Sequence, residues 1–134
     1  MNGNRYLLDS NIIIAFFSNE LIVLKKFEQE LFNLLIPAIS IGELCFGAYN
    51  SIKKEENLRI IENFTSALSI LEVDSSTAKI YGSIKSVLKQ NGTPIPENDI
   101  WIAALASQHK LTLVTRDNHF RLIPDLTIKD WVQV

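Results

Sequence analysis

The sequence predicts an α/β fold in three layers, a short and mainly parallel central sheet flanked by helices. Three observations lead there. Short apolar, β-branched runs alternate with longer stretches whose apolar residues recur at helical spacing, the pattern of a parallel sheet with crossover helices. One segment, Ile100-Trp101-Ile102-Ala103-Ala104-Leu105-Ala106, is apolar on every side, and a helix without a polar face has to be buried. Four acids, Asp9, Glu43, Asp99 and Asp117, stand at strand ends or helix starts, where such a sheet collects its functional groups.

Taken in order, residues 5–9 read as a buried strand ending in Asp9, and residues 10–17 as the helix that follows. Residues 20–34 place Leu21, Leu24, Phe27 and Leu31 at helical spacing, continued by Leu35, with Lys25, Lys26, Glu28 and Glu30 opposite; that is an amphipathic helix. Residues 36–39 form a second strand, and Pro37 suggests its start or an exposed edge. Ser40 opens a helix running to Tyr49, and residues 54–68 form another, solvated by Lys54, Glu55, Glu56, Arg59 and Glu62. Residues 68–73 are the third strand. Asp74-Ser75-Ser76-Thr77 is a helix-start signal, and Asn91-Gly92 stops that helix after Gln90. Thr93-Pro94-Ile95-Pro96 is a rigid loop into Asp99 and the apolar helix. Residues 111–115 give a fourth strand ending at Arg116-Asp117, followed by a turn at 118–122 and a last strand near 126–129. No repeat or linker interrupts residues 1–134, so one domain is expected.

Composition narrows the function classes. An apolar content of 47 % with 21 % charged residues belongs to an ordinary globular protein. The longest apolar runs fall far short of the roughly 20 residues that span a bilayer, and the N-terminus lacks a signal-peptide pattern. Cys45 is the single cysteine, which excludes an internal disulfide and fits a reducing cytoplasm. Its apolar helical context reads as an inert packed thiol. Thirteen basic against fifteen acidic residues give a net charge of −2, without the basic footprint of a duplex-binding module. Nucleic-acid chemistry then requires metal ions to bridge acids and phosphates.

Each acid has a structural reading beside the functional one. Ser40-Ile41-Gly42-Glu43 matches a capping box, Asp99 or Asn98 can cap the apolar helix, and Asp117 can form a turn. Asp9 is harder to explain that way, because an aspartate ending a buried strand is costly unless paired or bound to metal. Together the four make a chemical case. Mg²⁺ and Mn²⁺ prefer oxygen ligands, a few carboxylates hold one or two ions, and crowded carboxylates without a cation repel one another. His109 and His119 make no zinc pattern with Cys45, and His109 sits where a helix C-terminus favours a cation. Trp101 reads as packing before base stacking. Lys85, Lys89, Arg116 and Arg121 read as solvated surface, with phosphate contact as the alternative.

With these residues placed, the chain resembles the PIN-domain family, specifically its VapC-type toxins from bacterial toxin–antitoxin pairs, which makes the expected three-layer sandwich PIN-like. Leu7-Leu8-Asp9-Ser10-Asn11 is similar to the family's opening strand and first acid. Ile39 through Ala48 resembles the second motif, in which the glutamate is catalytic and a glycine lets helices approach closely. Pro96-Glu97-Asn98-Asp99-Ile100-Trp101 resembles the third and most specific motif, and Leu113-Val114-Thr115-Arg116-Asp117-Asn118-His119-Phe120 the fourth. The resemblance implies an Mg²⁺- or Mn²⁺-dependent endoribonuclease with Asp9, Glu43, Asp99 and Asp117 as catalytic metal-site acids. Asp9 and Asp99 are then the first direct ligands. Glu43 helps hold metal or orients the attacking water, and Asp117 acts directly or through water. Ser10, Asn11 and Thr115 match positions that orient these groups. It further implies a homodimer and a cognate antitoxin whose tail fills the acidic groove, with promoter DNA reached only through that antitoxin. A PIN fold kept as a catalytically inactive RNA-binding or regulatory module is the alternative. An aspartate-nucleophile phosphatase is disfavoured, because Asn11 and Ile13 provide no second aspartate behind Asp9.

Overall fold

Tyr6-Leu7-Leu8 can be buried on both faces, and β1 (Tyr6–Leu8) forms the middle strand of the sheet. The computed structural model describes residues 4–131. In chain order β1 is followed by α1 (Ser10–Phe17), α2 (Leu21–Glu30), β2 (Leu34–Pro37), α3 (Ala38–Tyr49), α4 (Lys54–Ser66) and β3 (Ser69–Leu71). Then come α5 (Ser75–Gln90), α6 (Glu97–Gln108), β4 (Thr112–Val114) and β5 (Ile128–Lys129), with single 3-10 turns at Leu31–Asn33 and Asn118–Leu122. The strand order is β3-β2-β1-β4-β5 and every pairing is parallel. This is the predicted α/β sandwich.

Strand side chains alternate between faces, and the two cores follow that period of two. Tyr6, Leu8, Leu34, Ile36 and Val114 join Ile12, Ile13, Val23, Phe27, Leu44 and Ile61 from α1–α4. Leu7, Leu35 and Leu113 face the other way, onto Leu88 of α5 and Ile100, Ile102, Ala103, Leu105 and Ala106 of α6. The apolar helix is therefore buried as its composition requires. Trp101 stacks on Tyr81 with ring centroids 3.9 Å apart and planes 11° from parallel, which is the packing role. Cys45 is partly buried against the first core. No described helix is long and apolar enough to cross a membrane.

Several local readings shift. β2 spans Leu34–Pro37, so α2 ends earlier than its apolar periodicity suggests, and Leu35 belongs to the sheet. Pro37 is neither at the start of its strand nor at an edge. It ends an interior strand, buried, where its φ of −71° suits the position before a helix. Because α3 starts at Ala38, Ser40 lies within its first turn and no side chain caps it. The capping-box reading of Ser40 and Glu43 fails, and Glu43 sits in the second turn of α3. Ser40 instead donates its hydroxyl to the Leu8 carbonyl at 3.3 Å, docking α3 against the end of β1. A Cβ at Gly42 or Gly47 would meet nothing within 4 Å, so neither glycine serves a close helix approach inside this chain.

The cap at Asp74 is as read. Its carboxylate accepts from the Thr77 N–H at 3.0 Å while the Thr77 hydroxyl accepts from the Asp74 N–H at 3.1 Å. Gly92, at φ 67°, closes α5 with Thr93 N–H on the Leu88 carbonyl at 3.0 Å and Gly92 N–H on Lys89 at 3.1 Å, the Schellman arrangement.

Candidate metal centre

Parallel strands leave the sheet pointing the same way, and their ends bring the acids together. Asp9 follows β1 directly and caps α1, where its Oδ1 accepts the Ser10 N–H at 2.8 Å. Its Oδ2 accepts from the Thr115 hydroxyl at 2.8 Å and from the Asn11 amide at 3.3 Å. Thr115 follows β4, the neighbouring strand, so two adjacent strand ends grip one carboxylate. Only the backbone of Ser10 takes part. Asn11 also accepts the Arg116 N–H at 3.3 Å, and the Thr115 hydroxyl accepts the Asp117 N–H at 3.0 Å.

Asp99 is in the first turn of α6, yet neither it nor Asn98 caps that helix, which removes the capping alternative. Its carboxylate is buried, with the His119 ring nitrogen at 3.3 Å from Oδ2. Asp117 caps the turn at Asn118–Leu122 by accepting the His119 N–H at 2.9 Å. That is the turn-forming role the sequence allows, and it leaves the second carboxylate oxygen uncommitted to the cap. Glu43 Oε1 is buried with no hydrogen-bond partner. An orphaned buried carboxylate oxygen is expensive without a cation or donor, and nothing within the described residues supplies one.

Electrostatics show the convergence. Asp9, only 3 % exposed, is raised from 3.8 to about 6, chiefly by burial; Thr115 and Ser10 pull it down, and the charges of Asp99 and Glu43 push it up. Asp99 is raised as well, again mainly by burial, with His119 opposing and Asp117 and Glu43 adding to the rise. All four predicted acids therefore belong to one repelling cluster. Its tightest group is Asp99, Asp117 and His119, whose ligand atoms lie within 4.8 Å of one another, the one such group of three among the described residues. Burial, mutual repulsion and an orphaned oxygen together fit a divalent cation with hard oxygen donors.

Beside Asp117 opens a cleft of about 380 Å³ lined in part by Thr115, Arg116, Arg121 and Ile128. Arg116 is committed to Glu20 through both terminal guanidinium nitrogens, which holds Glu20 below the usual carboxylate range. Lys85 donates to Glu97 at 2.7 Å. Sequence reasoning missed His119 as a member of the acidic edge. Its position two residues after Asp117 was visible, but its approach to Asp99 spans twenty residues and needs the folded β4 turn.

A parallel sheet gathering acids at its carboxyl edge defines a class, the acid-centred α/β domains suited to divalent metal. Within it the family is explicit: the PIN domain model matches residues 6–126, and the chain belongs to that family. It is 36 % identical to Ribonuclease VapC2 of Haemophilus influenzae over 130 residues, covering 96 % of this chain and 98 % of that protein. It is 33 % identical to the tRNA(fMet)-specific endonuclease VapC of Salmonella typhimurium over 129 residues, 95 % of this chain and 98 % of the relative. Among solved structures it is similar to DNA-bound VapBC from Salmonella typhimurium, with a TM-score of 0.91 at 31 % identity, covering 96 % of this chain and 99 % of that one. VapBC2 from Rickettsia felis, bound to a DNA fragment from its promoter, gives 0.87 at 32 % identity over 94 % and 98 %.

Proposed function

We propose that this protein is the toxin of a type II toxin–antitoxin pair, an endoribonuclease that hydrolyses RNA phosphodiester bonds with Mg²⁺ or Mn²⁺ at the acidic edge. The observation carrying this reading is the convergence of Asp9, Glu43, Asp99 and Asp117, with Asp9 raised to about 6 and Glu43 Oε1 orphaned. Near-full-length similarity to ribonucleases supports the substrate class. Asp9, Asp99, Glu43 and Asp117 would hold the ion. When bound, it would lower the pKa of a water and offset charge on the phosphate. Thr115 and Asn11 fix Asp9 Oδ2, the Ser10 N–H fixes Oδ1, and the buried Glu43 oxygen is left to orient the attacking water.

In the same reading the chain acts as a single-domain cytoplasmic protein, as a homodimer, with a cognate antitoxin as partner. The similar VapBC assemblies from Salmonella typhimurium and Rickettsia felis are both bound to DNA, and the −2 charge here fits DNA contact made by the partner. An apolar groove of about 350 Å³ between α1, α3 and α4, lined by Ile14, Phe17, Gly47 and Ile60, has Glu43 in its wall. A partner segment lying there would reach the acids. Induced expression in bacterial cells tests the proposal. Growth arrest with RNA cleavage is expected for wild type and its disappearance for Asp99→Asn; equal arrest by both would favour the inactive binding module.

A further inference from the structure

His119 is the imidazole at the acidic edge, while His109 caps the opposite end of α6. Its Nδ1 lies 3.0 Å from Asp117 Oδ1 and 3.3 Å from Asp99 Oδ2. Two separate elements impose that position. The turn at Asn118–Leu122 starts on Asp117, which accepts the His119 N–H at 2.9 Å, and the first turn of α6 presents Asp99 from the other side. An imidazole nitrogen has one proton or one lone pair, so Nδ1 cannot satisfy two carboxylates equally well by hydrogen bonding. A shared cation can. Neighbouring donors on an octahedral ion with bonds of about 2.1 Å sit about 3.0 Å apart, and both separations are close to that edge.

We propose that His119 Nδ1 is a direct ligand of the divalent ion, joining Asp99 and Asp117, and that this nitrogen makes the site favour Mn²⁺ over Mg²⁺. The inference rests on the metal site proposed above. Mg²⁺ demands near-ideal octahedral oxygen coordination and gives up its waters reluctantly, whereas Mn²⁺, which also takes carboxylates, is a first-row transition ion that accepts an imidazole nitrogen more readily than Mg²⁺ does. A mixed donor set built from one nitrogen and several carboxylates therefore discriminates between the two ions, which an oxygen-only site does weakly. His119 is half exposed and at a turn, so its replacement leaves both cores untouched.

Chelator-stripped protein is titrated with Mn²⁺ and the bound ion examined by pulsed electron paramagnetic resonance, which detects ¹⁴N bonded to manganese. A nitrogen coupling is expected in wild type and in His109→Gln, and its loss in His119→Gln. Mn²⁺ affinity of His119→Gln should fall about tenfold, while Mg²⁺ affinity, by calorimetry, changes less than about twofold. Bound Mn²⁺ that shows no nitrogen coupling, yet is lost in Asp99→Asn, would overturn the ligand while leaving the acidic metal site standing. A coupling that survives in His119→Gln would also overturn it. Failure of wild type to bind Mn²⁺ or Mg²⁺ at all would remove both proposals together.

Discussion

One hydroxyl organises the acidic edge. Thr115 Oγ1 donates to Asp9 at 2.8 Å and accepts from Asn11 at 3.3 Å and from the Asp117 N–H at 3.0 Å, using its one donor and two acceptor sites. Thr115→Val keeps the shape and removes all three bonds. Metal affinity or cleavage should fall about 10- to 100-fold with the fold intact, checked by calorimetry and RNA cleavage beside a circular-dichroism spectrum. Asp9 supplies the pH dependence. Its folded pKa of about 6 stands above the ordinary 3.8, so the folded state holds the extra proton between those values. Metal-free wild type should therefore lose stability relative to Asp9→Asn as pH rises from about 4 to 6, by at most about 3 kcal/mol, in urea unfolding with EDTA. Metal binding requires that proton to leave, so apparent affinity should weaken about tenfold per unit below pH 6. Asp9, Asp99 and Asp117 were legible because each stands beside a strand or helix boundary, whereas Glu43 was picked out by a capping-box spacing that the structure moves into the second turn of α3. Their shared electrostatics were not, since Asp9 and Asp99 are ninety residues apart and meet only through the sheet.

At the scale of elements, helix ends explain what the sequence reading caught and what it missed. Three helices finish in the same left-handed closure, at Asn19 (φ 61°), Gly92 (φ 67°) and Lys110 (φ 55°). The following amides, Glu20, Thr93 and Leu111, bond the carbonyls of Ala15, Leu88 and Ala106 at 3.2, 3.0 and 2.9 Å. Gly92 announced itself because glycine favours that conformation; Asn19 is the weaker second choice for it, and Lys110 carries no such signal. Lys110 has a Cβ where glycine is preferred. Lys110→Gly should stabilise the protein by about 0.5–1 kcal/mol, read as a higher urea midpoint at unchanged slope. The start of α3 shows the reverse error. Ser40 and Glu43 have the spacing of a capping box, but Pro37 ends β2 and starts the helix at Ala38, so the local pattern yields to the chain's exit from the sheet. That shift frees Glu43 from a capping role and leaves its oxygen orphaned at the acidic edge.

For the whole molecule, topology is what turns scattered acids into a site. The order β3-β2-β1-β4-β5 puts β1 and β4 side by side, so Asp9 and Thr115 leave adjacent strands in contact. The α/β class and the two-sided burial were readable from alternating strands and the all-apolar α6. The strand order was not, because parallel neighbours are far apart in sequence: Tyr6 pairs with Thr112 and with Leu34. The central claim, that this edge cuts RNA with a divalent ion, is tested most directly by incubating purified, antitoxin-free protein with a mixed cellular RNA pool. Reactions with Mg²⁺, Mn²⁺ or EDTA run beside Asp99→Asn. Discrete fragments in either metal, absent in EDTA and from the variant, are the expected result; the same degradation by wild type and Asp99→Asn, or cleavage undiminished in EDTA, would contradict it.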